Sequence, residues 1–117
     1  LMAPVEDHKM MIDIIEQLRF PTILVARMAL GTINHTVLSV EALQKRKIPI
    51  KGIVLSVSQE FSGPEEEYTP GDLARIVPDI PIVKFPFLKQ AHNIDPEVLS
   101  EAMERNWPES FTLELLG

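Results

Sequence analysis

The sequence predicts an α/β fold with a mostly parallel, open sheet and flanking helices, and three features lead to this prediction. Residues 22–28 (TILVARM) and 52–55 (GIVL) are short apolar runs rich in β-branched side chains, which are typical of parallel strands covered on both faces. Between them, residues 32–45 repeat apolar side chains at the spacing of a helix. A strand, a helix and a strand in this order form a βαβ unit, whose crossover is expected to be right-handed.

Prolines and capping residues place the other elements. Apolar side chains at helical spacing over residues 11–18 predict a first helix with Asp7 as its N-cap, and Thr32 is predicted to cap the helix of the βαβ unit. A third strand is predicted at residues 80–85, which two prolines bound. Asp95-Pro96 predicts the start of a last helix, because Asp is favoured at the N-cap and Pro at the first helical position.

We predict a single domain over residues 1–117. Residues 58–70 are polar and contain Gly, Pro and three consecutive glutamates, so they predict a surface loop, which a short helical turn at residues 72–77 follows. Residues 108–117 form a terminal tail in which apolar and polar side chains alternate. Because about three strands leave a sheet edge exposed, we expect that further strands are missing or come from a partner.

The composition argues against several classes of function. The 117 residues contain 11 Lys and Arg against 17 Asp and Glu, a formal net charge of −6, so nucleic acid is not an expected partner. A membrane is not expected either, because no apolar run reaches the roughly 18–20 residues of a membrane span. The absence of cysteine excludes thiolate catalysis and Cys-ligated metals, and a cytoplasmic location is expected.

The junction between residues 22–28 and the following helix is the predicted ligand site. Its members are Gly31, Thr32, Ile33 and Asn34. They lie where the carboxyl end of a strand meets the N-terminus of a helix, which is the usual ligand position in open α/β sheets. Unpaired backbone N–H groups and the positive end of the helix dipole favour an anion there. An ordinary capped helix start is the alternative interpretation.

The block LGTINHT at residues 30–36, with its surroundings at 20–43 and 48–55, resembles the middle segment of dethiobiotin synthetases. The resemblance covers roughly residues 1–90 and implies a P-loop NTPase-like (Rossmann-like) fold. It implies an ATP-dependent ligase of biotin biosynthesis, which converts 7,8-diaminopelargonate and CO2 to dethiobiotin with Mg2+ on the phosphates of ATP. It further implies a homodimer, and a substrate carboxylate bound by the helix start at residues 31–34.

The resemblance also implies where adenine binds. One contact corresponds to Ser56, at the end of the second strand, where the family usually has Asn. The other corresponds to the stretch Phe85, Pro86, Phe87 and Leu88. Because a serine hydroxyl cannot match both hydrogen-bonding edges of adenine as an amide does, the preferred nucleotide stays open.

The phosphate-binding loop of the family is absent from this sequence. No G-x-x-x-x-G-K-[ST] pattern occurs, so we assign no catalytic residue and no metal ligand to the chain. In the family these residues lie in the N-terminal half, and residues 1–5 resemble the stretch that follows its acidic Gly-rich motif. We therefore expect a C-terminal half that is inactive alone, although Met2 could be a natural start. The alternative is a non-catalytic binding or regulatory module on the same scaffold.

Overall fold

The predicted α/β fold is confirmed by the structure, a computed structural model that describes residues 1–58, 63–89, 94–107 and 109. Its elements in chain order are β1 (Pro4–Glu6), β2 (Lys9–Met10), α1 (Met11–Leu18), β3 (Thr22–Arg27), α2 (Thr32–Lys45), β4 (Ile50–Ser56), α3 (Glu65–Ile76), β5 (Ile82–Phe85) and α4 (Pro96–Asn106). None of the helices within these ranges is long and apolar enough to cross a membrane.

Two sheets are present in the described ranges. Strands β3, β4 and β5 form a parallel sheet, and the parallel direction of β3 and β4 is the one that the βαβ pattern predicts. Strand β4 lies in the centre of this sheet, which the sequence analysis did not predict. Strands β1 and β2 form a separate antiparallel hairpin. The hairpin was not predicted, because strands of three and two residues are too short to show the alternation that identifies a strand.

The core lies mainly on one face of the parallel sheet. Alternate residues of β4, Ile53 and Leu55, are fully buried there against a cluster that includes Val40 of α2 and Leu73 of α3. On the opposite face, Val54 and Val83 pack with Phe85 and with Trp107, which follows α4. Helices therefore cover both faces of the sheet around β4 and β5.

The N-cap of α1 is Met10, so the prediction of Asp7 is wrong. Strand β2 leads directly into α1, and Asp7 therefore lies in the hairpin turn, ahead of the helix. Asp13, the third helical residue, takes over the capping role, because its carboxylate accepts a hydrogen bond of 2.6 Å from the Met10 amide.

The predicted cap of α2 is wrong as well. Gly31 is the N-cap, in the left-handed region with φ of +86°, and Thr32 is the first helical residue. The Thr32 hydroxyl donates a hydrogen bond to the carbonyl oxygen of Arg27, the last residue of β3. This side chain ties the helix start to the end of the strand and leaves the helix amides without a side-chain cap.

The predicted surface loop at 58–70 is wrong from residue 65 onward, because α3 begins at Glu65 and includes Pro70. The helical turn predicted at 72–77 is the second half of this helix. Thr69, Leu73 and Val77 are buried against the rest of the chain, so tertiary packing outweighs the local cost of the proline. Residues 59–62 of the predicted loop lie outside the described residues.

The start of α4 follows the prediction. Asp95 is the N-cap, its carboxylate accepts a hydrogen bond of 2.9 Å from the Glu97 amide, and Pro96 is the first helical residue. The predicted tail at 108–117 lies outside the described residues, apart from the helical position at 109.

Candidate functional site

The first turn of α2 exposes backbone N–H groups at the carboxyl end of β3. Two amides of this turn are paired: that of Thr32 donates to the Ala29 carbonyl at 3.1 Å, and that of His35 to the Gly31 carbonyl at 3.1 Å. Within the described residues, the amides of Ile33 and Asn34 have no partner. Both therefore remain available to an acceptor at the positive end of the helix dipole.

The four predicted residues differ in what they can offer a ligand. Gly31 and Asn34 are exposed, so the backbone at residue 31 and the amide side chain at 34 are accessible. Thr32 is buried and its hydroxyl hydrogen is engaged with Arg27. The Ile33 side chain packs against the main core, which leaves only its backbone for binding. The donors that fit an anion are thus two backbone amides and the side chain of Asn34.

Two charged or titratable side chains lie beside these donors. Arg27 is exposed and takes part in none of the ion pairs among the described residues. His35 is also exposed, and its Cε1 atom lies 3.9 Å from the position that a Cβ atom at Gly31 would take. The imidazole therefore borders the helix start, and Arg27 adds a positive charge at the same edge of the sheet.

A cavity of about 250 Å³ runs between β3 and the first two turns of α2. A stripe of hydroxyl groups on α2 lines it, formed by Thr32, Thr36 and Ser39. Thr36 is only 3% exposed, and its hydroxyl has no hydrogen-bond partner in the part of the chain that the structure describes. We did not predict this stripe, although its spacing of four and three residues on one helix face was a visible signal.

The residues predicted to contact adenine lie at the same carboxyl edge of the sheet. Ser56 ends β4 and is the register partner of both Arg27 in β3 and Phe85 in β5. The Ser56 carbonyl accepts a hydrogen bond of 2.8 Å from the Met28 amide, and the Val57 amide donates to the Phe85 carbonyl at 2.9 Å. These bonds hold the ends of three strands side by side.

The aromatic residues of the stretch at 85–88 lie on different sides of the sheet. Phe85 packs with Val54 and Val83, whereas Phe87 packs against the main core on the opposite face. Residues 85–88 are all half-buried. The two rings therefore do not form one binding surface, and Phe85 is the ring that shares a face with Ser56.

The residues described here do not fit a magnesium site. Among them, no group of three or more Asp, Glu or His side chains is placed to hold a metal ion. The sequence also contains no P-loop to bind the phosphates of a nucleotide. We therefore derive no step through Mg2+ or through the phosphates from this chain.

The parallel sheet, with strand ends that lead to an uncapped helix start, is the architecture of nucleotide-binding α/β proteins. The family model described as an AAA domain matches residues 1–92, and the chain belongs to this family. The resemblance to dethiobiotin synthetases is also confirmed, because proteins of that name match most of the chain.

Three of these relatives show the extent of the similarity. The ATP-dependent dethiobiotin synthetase BioD of Agrobacterium fabrum is 37% identical over 108 residues, which cover 92% of this chain and 46% of the relative. That of Halalkalibacterium halodurans is 36% identical over 107 residues, 90% of this chain and 44% of the relative. That of Haloferax mediterranei is 54% identical over 63 residues, 54% of this chain and 26% of the relative. The chain thus spans less than half the length of these curated relatives.

Proposed function

We propose that this chain is the substrate-binding and adenine-binding half of an ATP-dependent ligase of the dethiobiotin synthetase kind. The complete enzyme would convert 7,8-diaminopelargonate, CO2 and ATP to dethiobiotin, with Mg2+ on the phosphates, as a cytoplasmic homodimer. The observation that carries this proposal is the uncapped start of α2, which offers free amides at Ile33 and Asn34 in a chain similar to enzymes of that name.

The helix start is suited to the carboxylate of the diamino acid. Two carboxylate oxygens can accept hydrogen bonds from the two free amides, and the Asn34 side chain adds a third donor. The end of a helix contributes about 0.3–1 kcal/mol to anion binding, and each hydrogen bond to a charged group about 1.5–3 kcal/mol. These magnitudes orient a substrate, whereas tight binding needs contacts from elsewhere in the enzyme.

Ser56 and the stretch Phe85, Pro86, Phe87 and Leu88 are proposed to lie near the adenine. The position of these residues supports this assignment, because Ser56 and Phe85 are adjacent at the carboxyl ends of β4 and β5. The Ser56 hydroxyl would hydrogen-bond one edge of the base, and the Phe85 ring would offer an apolar contact. Phe87, which packs into the main core, would position the stretch rather than touch the nucleotide.

The uncovered side of β3 supports the view that this chain is half of an enzyme. Ile23 and Val25 are 42% and 71% exposed, although apolar strand residues of this kind are normally covered. The buried Thr36 hydroxyl, beside the same strand, has no partner within the described ranges. A further chain segment packed on the uncovered face of β3 would cover the apolar residues, and a segment along the β3 side of the cavity would supply a hydrogen-bond partner for Thr36.

A substitution at Asn34 in a complete enzyme tests the carboxylate site. Asn34→Ala removes one donor, so we expect KM for the diamino acid to rise about tenfold while KM for ATP changes little. Steady-state kinetics with each substrate varied in turn measures this. Asn106→Ala is the matched control, because the Asn106 side chain donates to the Ala102 carbonyl within α4 and does not line the cavity at the start of α2. An unchanged KM for the diamino acid would contradict the assignment.

Measurement of ATP hydrolysis by the isolated chain tests the division of the enzyme into halves. We expect no turnover above the uncatalysed rate, because the chain has no P-loop. A mock purification from cells that lack the chain measures hydrolysis by contaminating ATPases. Robust hydrolysis by the purified chain above this background would refute the proposal.

A second candidate is a non-catalytic module on the same scaffold, in which the start of α2 serves dimer contact or senses a small anion. The uncapped start of α2 on the βαβ scaffold suits this role, because its free amides can bind a small anion without any catalytic group. The DNA upstream of the Leu1 codon separates the two candidates. An open reading frame that encodes a P-loop favours the ligase, and a stop codon with a ribosome-binding site before Met2 favours the module.

A further inference from the structure

A second cavity, of about 890 Å³, opens at the amino-terminal edge of the parallel sheet. Phe20 and Pro49, which precede β3 and β4, form part of its wall. Because β3 has six residues, this cavity lies roughly 20 Å along the strand from the start of α2. It is therefore a different place from the candidate site described above.

The cavity carries an excess of positive charge on an acidic chain. Its charged lining consists of four cations and two carboxylates: Lys9, Arg19, Arg46 and Lys47, with Asp13 and Glu16. His8 is the other titratable group on its wall. The whole chain has a net charge of −6, so this concentration of cations runs against the overall charge.

Both carboxylates of the cavity are already used. The guanidinium of Arg46 pairs with Asp13 and, at 2.9 Å, with Glu16. Lys9, Arg19 and Lys47 take part in none of the ion pairs among the described residues. The three side chains that remain are exposed and face a cavity with no free carboxylate on its wall.

Arg19 and Lys47 also occupy costly backbone positions. They are the two non-glycine residues with positive φ in the described chain, at +55° and +56°, and they follow the C-terminal ends of α1 and α2. Glycine is the residue that ends a helix in this conformation with least strain. A cation could complement the helix dipole from the last turn without this strain, as Lys45 does in α2. Two residues with strained backbone conformations place positive side chains on the wall of one cavity, which indicates that these side chains have a functional role there.

We propose that this cavity binds a small, multiply charged anion of the phosphate class, such as a diphosphate or a phosphate ester. The volume falls in the range of small-molecule sites, and Lys9, Arg19 and Lys47 supply charge-assisted donors from three separate segments. The site does not depend on the proposed ligase activity, because it lies at the opposite edge of the sheet and uses none of the same residues.

Binding of inorganic pyrophosphate to the 117-residue chain, followed by calorimetry at about 0.15 M salt, tests the proposal. We expect saturable binding, and in Arg19→Gly/Lys47→Gly we expect an affinity at least about tenfold lower. Glycine suits both backbone conformations, so this variant is expected to have an unchanged or higher unfolding midpoint, which separates lost charge from lost folding. Lys9→Gln, which leaves both helix ends intact, should weaken binding as well.

The matched control is Arg75→Gln/Arg105→Gln, which also removes two positive charges, but from highly exposed positions on α3 and α4. We expect its affinity for pyrophosphate to stay within about twofold of the original chain. Equal weakening in the two double variants would mean that only net charge matters, and would overturn the proposal. No saturable binding by the original chain at about 1 mM pyrophosphate would overturn it too.

Discussion

Val25 and Val54 are register partners in neighbouring strands, yet they differ greatly in their surroundings. Val54, in the central strand β4, is 7% exposed, whereas Val25, in the edge strand β3, is 71% exposed. Both side chains point to the same face of the sheet, because paired residues share a face. Trp107 and the end of α4 reach Val54 and Val83, and they leave the β3 side of this face open.

Strands β3 and β4 have similar apolar sequences, but the chain covers them with helices to different extents. Both runs were predicted as strands covered on two faces, because their sequences are alike. One of them obtains this cover from α2, α3 and α4, and the other obtains it on a single face, from α1 and α2. An apolar run therefore indicates a need for cover, and only the tertiary structure shows which element supplies it.

The largest expected effect is in the covered strand. Leu55 of β4 is fully buried in the main core, so Leu55→Ala should lower the free energy of unfolding by about 2–5 kcal/mol. Urea unfolding followed by circular dichroism measures the change. A loss below about 0.5 kcal/mol would mean that β4 is no better covered than β3 and would remove the contrast between the strands.

The register pair itself gives a matched test with one substitution. Val54→Ala should lower the free energy of unfolding by about 2 kcal/mol, because it removes two buried methyl groups. Val25→Ala should change the free energy of unfolding by less than about 0.5 kcal/mol. In a complete enzyme we expect the cost of Val25→Ala to approach that of Val54→Ala, since the remaining segment would cover β3. Equal costs already in the isolated chain would contradict the difference in exposure between Val25 and Val54.

The junction between β3 and α2 is exposed but has a defined backbone conformation, which a substitution at Gly31 tests. Because its φ is +86°, Gly31→Ala should lower stability by about 1–2 kcal/mol through backbone strain. Crowding is not the cause, since the nearest atom to the added Cβ would be His35 Cε1 at 3.9 Å. Gly71→Ala is the control, in the interior of α3 with no atom within 4 Å of the Cβ, and should stabilise by about 0.5–1 kcal/mol.

The smallest expected effect concerns Asp13, a half-buried residue of α1. The hydrogen bond from the Met10 amide, and then that from Arg46, hold the pKa of the Asp13 carboxyl below its ordinary value of 3.8. A depressed pKa in the folded state adds stability above the unfolded pKa, and this stability is lost as pH falls from about 4 through the lower folded value. Asp13→Asn should therefore reduce stability at pH 6 slightly and flatten its decline in acid.

Urea midpoints measured between about pH 2 and pH 6 check this expectation. Asp79→Asn is the control, because Asp79 is an exposed carboxylate that forms none of the ion pairs in the described ranges. If the acid slope of Asp13→Asn matches that of the control, the Met10 and Arg46 contacts contribute nothing to folding.

Local patterns predicted well those elements that need no distant contact to be recognised. The strand at 22–28, the helix at 32–45 and the start of α4 at Asp95-Pro96 appear where the sequence places them. Each has a strong local signal, either sustained periodicity or a capping pair. The anion-binding role of residues 31–34 remains a prediction, although the junction lies at the expected edge of the sheet.

The errors have a common physical cause. The local sequence around Pro70 and the glutamates before it predicts a loop. Helix α3 forms there nevertheless, because Leu73 and Val77 are buried against the core. Asp7 has the chemistry of an N-cap, yet the β1–β2 hairpin places it in a turn. In both cases, contacts between segments distant in sequence override the preference of the local residues.

The sequence by itself determined the fold class, the parallel direction of the strands in the βαβ unit, and the place where β3 leads into α2. These depend on periodicity and on backbone conformation, which a short stretch of residues contains. Only the tertiary structure decided that β4 is central, that β3 is half uncovered, and that cations from three segments meet in one cavity. Burial and the clustering of charges depend on which segments contact each other in the folded chain, and a local sequence pattern does not contain this information.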